Sequence, residues 1–243
     1  MKRIILFFST SLILWFILSS CGQVFGERVR GNGNIQSETR QVDEFSGVDI
    51  SGAIDLYVKQ DSVRSVKIEA DENLMGYIEV INIGNKLVVR PEKGYNLKPS
   101  RSIKVWVSSP TFRRFEASGA CDIISENKIS ADGELYIDMS GSCHVEMEIN
   151  APKIYADLSG SCNLDLKGET KEFEIDGSGS TDVRSMELMA ENVKVGISGS
   201  GSAEVFASIK LDVSVSGSGD VRYKGNATVN QRISGSGSVK KVE

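Results

Sequence analysis

The sequence predicts an all-β protein: a parallel β-helix of about 20 residues per coil with a less regular N-terminal cap. Three observations predict it. A Ser-Gly hexapeptide recurs eight times, as SGAIDL from Ser51, SGACDI from Ser118, SGSCHV from Ser140, SGSCNL from Ser159, SGSTDV from Ser178, SGSAEV from Ser200, SGSGDV from Ser216 and SGSGSV from Ser234. The segments between copies alternate apolar and polar residues with the period of a strand. From Ser118 onward no stretch shows a sustained helical period, and successive copies lie 16 to 22 residues apart.

The elements follow in chain order. Lys2 and Arg3 precede an apolar run, Ile4 to Leu18, that is shorter than the ~20 residues of a membrane-spanning helix and has the length of a secretory signal core. It ends in Leu18-Ser19-Ser20-Cys21, which resembles the lipobox of bacterial lipoproteins. Residues 1–20 are therefore read as a lipoprotein signal peptide, with Cys21 as the acylated first residue of the mature chain. Residues 21–45 are polar and Gly-containing and read as a tether, with an edge strand expected from Asn34 onward.

Residues 46–116 read as strands that cap the repeats. Ile54, Leu56 and Val58 alternate with polar neighbours, Val66 and Ile68 follow, and Ile103, Val105 and Val107 form another strand. Asp71 is placed to cap a helical turn over residues 72–75, and Gly84-Asn85 to turn a hairpin. Residues 117–243 form the repeat region, and 46–243 read as one domain. Period two puts Val145, Met147, Ile149, Ile154, Ala156 and Leu158 on one face, then Leu164, Leu166, Phe173 and Ile175, then Val205, Ala207, Ile209, Leu211, Val213 and Val215. Two short strands per unit cannot bury such faces alone, but stacked units share a continuous core.

The columns of the hexapeptide assign roles. The second position is always Gly, as a corner with positive φ or close backbone approach requires. The sixth is always aliphatic and points inward. The fifth (Asp55, Asp122, His144, Asn163, Asp182, Glu204, Asp220 and Ser238) is always polar and points to water. The fourth holds Ile54 and otherwise small residues: Cys121, Cys143, Cys162, Thr181, Ala203, Gly219 and Gly237. Three cysteines beside His144, the one histidine, raise a thiolate or metal site. Their companions Thr, Ala and Gly do no thiol chemistry, so the column reads as a ladder of small buried side chains, and no metal ligand set is assigned.

Composition narrows function further. Net charge is −5, and loss of Lys2 and Arg3 makes the mature chain more acidic, without the basic footprint of a nucleic-acid binder. No HExxH, phosphate loop or Cys/His metal spacing is present, and no cofactor is implied. A calcium-binding β-roll needs Gly and Asp in every half-coil, which this sequence lacks.

The segments FSGVDISGAIDLYV (Phe45–Val58) and VWVSSPTFRRFEASGACDI (Val105–Ile123), with the SGSGDV-type repeats, resemble bacterial lipoproteins and secreted proteins of the auto-transporter adhesin, head GIN domain family. The resemblance covers roughly residues 40–240. It implies a right-handed β-helical fold, and no catalytic residue set travels with it.

The resulting expectation is a lipid-anchored cell-envelope scaffold, adhesin-like and non-catalytic, held at the outer membrane on its periplasmic or surface face. Its partners are the membrane, through the anchor, and a glycan or surface protein, through an edge made by Asp122, Asp182, Glu204 and Asp220. The alternative is a carbohydrate-active lyase or hydrolase using paired acids of that edge. A polysaccharide cleft also needs exposed aromatics. After Trp106 the candidates are Tyr155, Phe206 and Tyr223.

Overall fold

Glycine at the second motif position sets how the chain stacks. In the computed structural model, which describes residues 26–243, Gly52, Gly119, Gly141, Gly160, Gly179, Gly199, Gly217 and Gly235 all have positive φ, from +98° to +129°. From Gly119 onward each lies against the glycine of the preceding repeat, while Gly52, the first, faces Pro91. A Cβ on Gly160 would sit 2.5 Å from the Gly141 carbonyl oxygen, and one on Gly179 equally close to that of Gly160. Only a residue without a side chain permits both this backbone conformation and this approach.

The N-terminal part contains β1 (Glu27–Arg30), β2 (Ile35–Arg40), β3 (Gly47–Gly52), β4 (Ile54–Gln60), β5 (Ser65–Asp71), a 3-10 turn (Glu72–Tyr77), β6 (Ile78–Ile83), β7 (Lys86–Pro91), β8 (Tyr95–Lys98) and β9 (Ile103–Ser109). The repeat half contains β10 (Arg114–Ser125), β11 (Ile129–Ser130), β12 (Glu134–Gly199), β13 (Ser202–Gly217), β14 (Asp220–Lys224), β15 (Thr228–Gly235) and β16 (Ser238–Lys241). β12 is 66 residues of uninterrupted extended chain, and it turns back on itself, since Gly141, Gly160 and Gly179 within it contact one another in sequence.

Fourteen strands form one large sheet, and β1 with β8 forms a separate two-stranded sheet. Pairing in the repeat half is parallel and in register apart from two bulges between β12 and β13, with Ser118-Gly119 opposite both Ser51-Gly52 and Ser140-Gly141. Antiparallel pairing is confined to the N-terminal part, in β2–β5, β5–β9 and the β6–β7 hairpin. That hairpin turns at Gly84-Asn85, with Ile83 opposite Lys86.

The alternation defines the core. Val145, Met147, Ile149, Ile154, Ala156, Leu158, Leu164, Leu166, Phe173 and Ile175 are all buried, as are Val205, Ala207, Leu211, Val213 and Val215. Ile209 departs from the expectation and is 56% exposed. The register explains it. Ala190 pairs with Ala207 but Asn192 pairs with Lys210, so an extra residue bulges at Ser208-Ile209 and turns Ile209 outward.

A second correction concerns the copy at Ser200. Gly199, not Gly201, lies against Gly179, and Asp182 pairs with Ser202 while Val183 pairs with Ala203. The structural copy begins at Ser198, two residues earlier. The fourth position is then Gly201, the fifth Ser202 and the sixth Ala203, and the spacings narrow to between 18 and 22 residues. A slip of two preserves which side chains face inward, so the apolar pattern could not expose it.

Asp71 is the third correction. It precedes the 3-10 turn but makes no side-chain cap bond to it. Its fully buried carboxylate instead accepts hydrogen bonds from the Gly33 amide (2.7 Å), the Ser100 amide (2.9 Å) and the Ser100 hydroxyl (2.7 Å). Burial pulls the Asp71 pKa upward, but these donors outweigh it and hold it below the usual carboxylate value. The folded part also reaches into the segment read as a tether: β1 pairs with β8, and β2 with the edge of β5. The Ile4–Leu18 run and Cys21 lie outside the described residues.

Candidate functional site

The cysteine column is buried beside the motif glycines. Cys121, Cys143 and Cys162 are 1%, 3% and 1% exposed, and Thr181 follows in the same column. Each thiol donates to the carbonyl three residues back, those of Ser118, Ser140 and Ser159, at 3.3 to 3.4 Å. Contact with Cys143, reinforced by burial, pushes the Cys121 thiol far above its usual pKa, and burial raises Cys162. The same contact favours ionisation at Cys143. His144 points away from them and lies 3.8 Å from the Asp165 carboxylate. Among the described residues, no group of three or more His, Cys, Asp or Glu side chains is placed to hold a metal ion.

The structure separates the four acids read as an edge. With the register corrected, the fifth column runs Asp55, Asp122, His144, Asn163, Asp182, Ser202, Asp220 and Ser238. Asp182 accepts a hydrogen bond from Ser202 (2.5 Å), and Asp220 from Ser238 (2.6 Å), which holds the Asp220 pKa down. Within this column two acids are neighbours only at Asp55 and Asp122. Burial, then the Asp122 charge, raises the Asp55 pKa. Glu204 leaves the column. It stands two residues further on, between Arg184 and Arg222, and binds Arg222 at 3.2 Å. Arg184 meanwhile holds Asp165 through two bonds of 2.5 and 2.8 Å. Glu146, Asp165, Arg184 and Glu204 line one wall of an open groove of ≈ 500 Å³, overhung by Met186 and Glu187. That overhang is an insertion: Ser185 pairs with Val205 and Met189 with Phe206, leaving residues 186–188 to bulge.

A longer acidic column escaped the sequence reading. Two residues before the motif serine in the first five copies stand Asp49, Glu116, Asp138, Asp157 and Asp176, an outward position. Lys86 binds Glu116 (2.5 Å) and approaches Asp49 (3.7 Å), and Arg114 binds Asp138 (2.6 Å). Burial, then neighbouring Glu116, raises the Asp49 pKa, and burial likewise raises Asp138. The signal was available in the motif alignment, read two places upstream rather than at the fifth position.

The surface aromatics are occupied. Tyr136 and Tyr155 stack on each other at 4.9 Å and 6°, with Arg114 over the Tyr136 ring and Lys153 over the Tyr155 ring. Tyr57 and Trp106 stack at 5.2 Å, with Lys67 over Trp106 and Lys104 over Tyr57. In both sets the aromatic faces meet each other or a cation, the cross-strand pairing that stabilises sheets. Tyr155 therefore offers a ring edge, not a face, to solvent. Phe206 is half-buried in a second open groove beside Pro152 and Met189, and Tyr223 packs against the core.

Residues 44–227 match the family described as "Putative auto-transporter adhesin, head GIN domain". The chain belongs to this family. Solved structures share its architecture. A putative adhesin from Bacteroides fragilis superposes with a TM-score of 0.83 at 22% identity, covering 88% of this chain and all of its own. A putative adhesin from Parabacteroides merdae gives 0.67 at 23%, covering 89% and 100%. A putative lipid binding protein from Parabacteroides distasonis gives 0.69 at 21%, also covering 89% and 100%. At these identities the likeness is one of fold. No curated protein matches the chain.

Proposed function

We propose that this head GIN domain protein is a non-catalytic, adhesin-like binding scaffold of the cell envelope, anchored by acyl chains on Cys21 and wound as a right-handed parallel β-helix of about 20 residues per coil. The glycine-on-glycine contact repeated through eight copies supports the winding. The lipobox-like Leu18-Ser19-Ser20-Cys21 supports the anchor, and the family supports the envelope location and the adhesin role.

One observation carries the non-catalytic reading. The acids that recur along the repeats are shared out among hydroxyl, arginine and lysine partners of successive strands, and where Asp49, Glu116, Asp138 and Asp157 share one open groove of ≈ 440 Å³, Lys86 and Arg114 pair with the first three. Asp55 and Asp122, the neighbouring pair, line none of the grooves described above. A repeated surface suits extended, multivalent contact, in which linked weak sites raise avidity without a new kind of contact.

The reading treats Asp122, Asp182 and Asp220 as independent contributors, with Glu204 contributing through its pair with Arg222. Asp122→Asn, Asp182→Asn and Asp220→Asn are each expected to leave binding to intact cells or to an array of acidic and neutral glycans mostly unchanged. Losses should accumulate as the substitutions are combined. Abolition of all binding by one of them would defeat the multivalent reading.

A further inference from the structure

We propose that the face formed by β1, β8 and their flanking loops is a docking surface for an anionic phospholipid headgroup layer, laid against the bilayer that holds the acyl chains of Cys21. The proposal rests on the anchor reading given above. Its basis is a local reversal of charge. Arg28 and Arg30 on β1, Lys98 on β8, Lys93 in the turn before β8 and Arg101 after it are all exposed. β1 and β8 run in parallel, with Arg28 opposite Asn96 and Arg30 opposite Lys98. Val29 packs against the core and Leu97 is buried within it, so their neighbours Arg28, Arg30 and Lys98 project the other way.

Lys93 and Arg101 flank the same sheet. The Glu27 amide bonds the Gly94 carbonyl, and the Gly31 amide bonds the Lys98 carbonyl. These five cations share their segments with only two carboxylates, Glu27 and Glu92, with Glu72 at the margin beside Asn34. Among the described residues none of the five forms an ion pair, whereas Lys86, Arg90, Arg113, Arg114, Lys153 and Arg184 all do. Lys67 and Lys104, also without an ion pair, lie over the Trp106 and Tyr57 rings, whereas here five unpaired cations gather on two paired strands and their flanks.

The position of the cluster identifies its partner. Five residues lead from Cys21 to Gly26, and fully extended they span at most ~18 Å. An anchored chain therefore holds this face within reach of the headgroups, where each Lys or Arg favours an anionic surface. Lys224, Arg232, Lys240 and Lys241, on β14 to β16, are also basic but belong to the end of the large sheet's strand order opposite β2, the strand that follows β1. The proposal predicts that they stay in solvent.

The test uses the purified full-length product. Its mass reports whether Cys21 is acylated. The acylated chain is placed in vesicles of phosphatidylcholine alone, or mixed with phosphatidylglycerol, and lysines are labelled with an amine-reactive reagent. Lys93 and Lys98 should label about fivefold more slowly on the anionic vesicles. Lys171 and Lys240 should be unchanged, and high salt should abolish the difference. Arg28→Glu/Arg101→Glu should restore fast labelling of Lys93 and Lys98. Equal rates on both vesicles, or protection of Lys240 instead, overturns the proposal while leaving the anchor intact. A mass without acyl chains overturns the anchor. The patch is then judged by flotation of that chain with anionic vesicles, where co-flotation sensitive to Arg28→Glu/Arg101→Glu supports it and failure to float overturns it.

Discussion

Gly160→Ala isolates the contact on which the stacking of repeats depends. Two costs arise at once. The backbone at φ +98° disfavours any L side chain, at roughly 1–2 kcal/mol. The new methyl would also lie 2.5 Å from the Gly141 oxygen and 3.2 Å from its nitrogen, both backbone atoms that cannot swing aside. Forcing the repeats apart belongs with overpacking, at about 1–3 kcal/mol. The expected destabilisation is thus about 2–5 kcal/mol. Gly84→Ala supplies the comparison. Gly84 also has positive φ (+59°), but no atom lies within 4 Å of its added Cβ, so strain of about 1–2 kcal/mol acts alone. Urea unfolding followed by circular dichroism measures both variants against the parent. If Gly160→Ala costs no more than Gly84→Ala, close backbone approach is not what the motif glycine provides.

Other outcomes follow from the same geometry. Cys162→Ser should cost little, because a hydroxyl can donate to the Ser159 carbonyl as the thiol does, whereas Cys162→Leu should cost about 1–3 kcal/mol in the same unfolding assay. Asp71→Ala should cost about 2–4 kcal/mol by orphaning the donors of Gly33 and Ser100. Since the folded Asp71 pKa lies below its unfolded value, its contribution is complete above the unfolded value near 3.9 and fades as pH falls through the folded one. Acid titration of the parent against Asp71→Asn reads that difference. Asp49, raised by burial and Glu116, has the opposite sign: Asp49→Asn should stabilise at neutral pH, an effect that disappears below the unfolded pKa. Cys21→Ala should move the protein from the membrane fraction to the soluble fraction, and retention on membranes after a salt wash would refute the anchor.

Much of the all-β organisation was legible because two signals reinforced each other. The motif glycines marked the positions of positive φ and close backbone approach, and period-two alternation gave the faces from Val145 to Ile175 that the structure buries. What escaped has specific causes. The two-residue slip at Ser198 left the inward pattern intact, although the Ser-Gly-Ser-Gly string shared with Ser216 and Ser234 held the correct alignment. Ile209 was lost to a bulge, whose extra residue is visible only in the pairing. Asp71 resembled a helix cap because its partners, Gly33 and Ser100, are remote in sequence. β1 carries no apolar period beyond Val29, because β8 supplies its pairing and the core touches one side chain. For the candidate site, the fifth-position acids were placed on the surface as expected, apart from the shifted Glu204. The longer column from Asp49 to Asp176 lay two residues outside the motif that framed the search.

The central claim is that the repeated acids bind and do not catalyse. Its most direct test is to incubate the purified protein with acidic and neutral polysaccharides and to assay for new reducing ends and unsaturated products. The account predicts none with any substrate, including those the protein retains. Turnover lost on a single substitution, Asp55→Asn or Asp122→Asn above all, would contradict it, because removing one member of a catalytic pair removes nearly all of the rate.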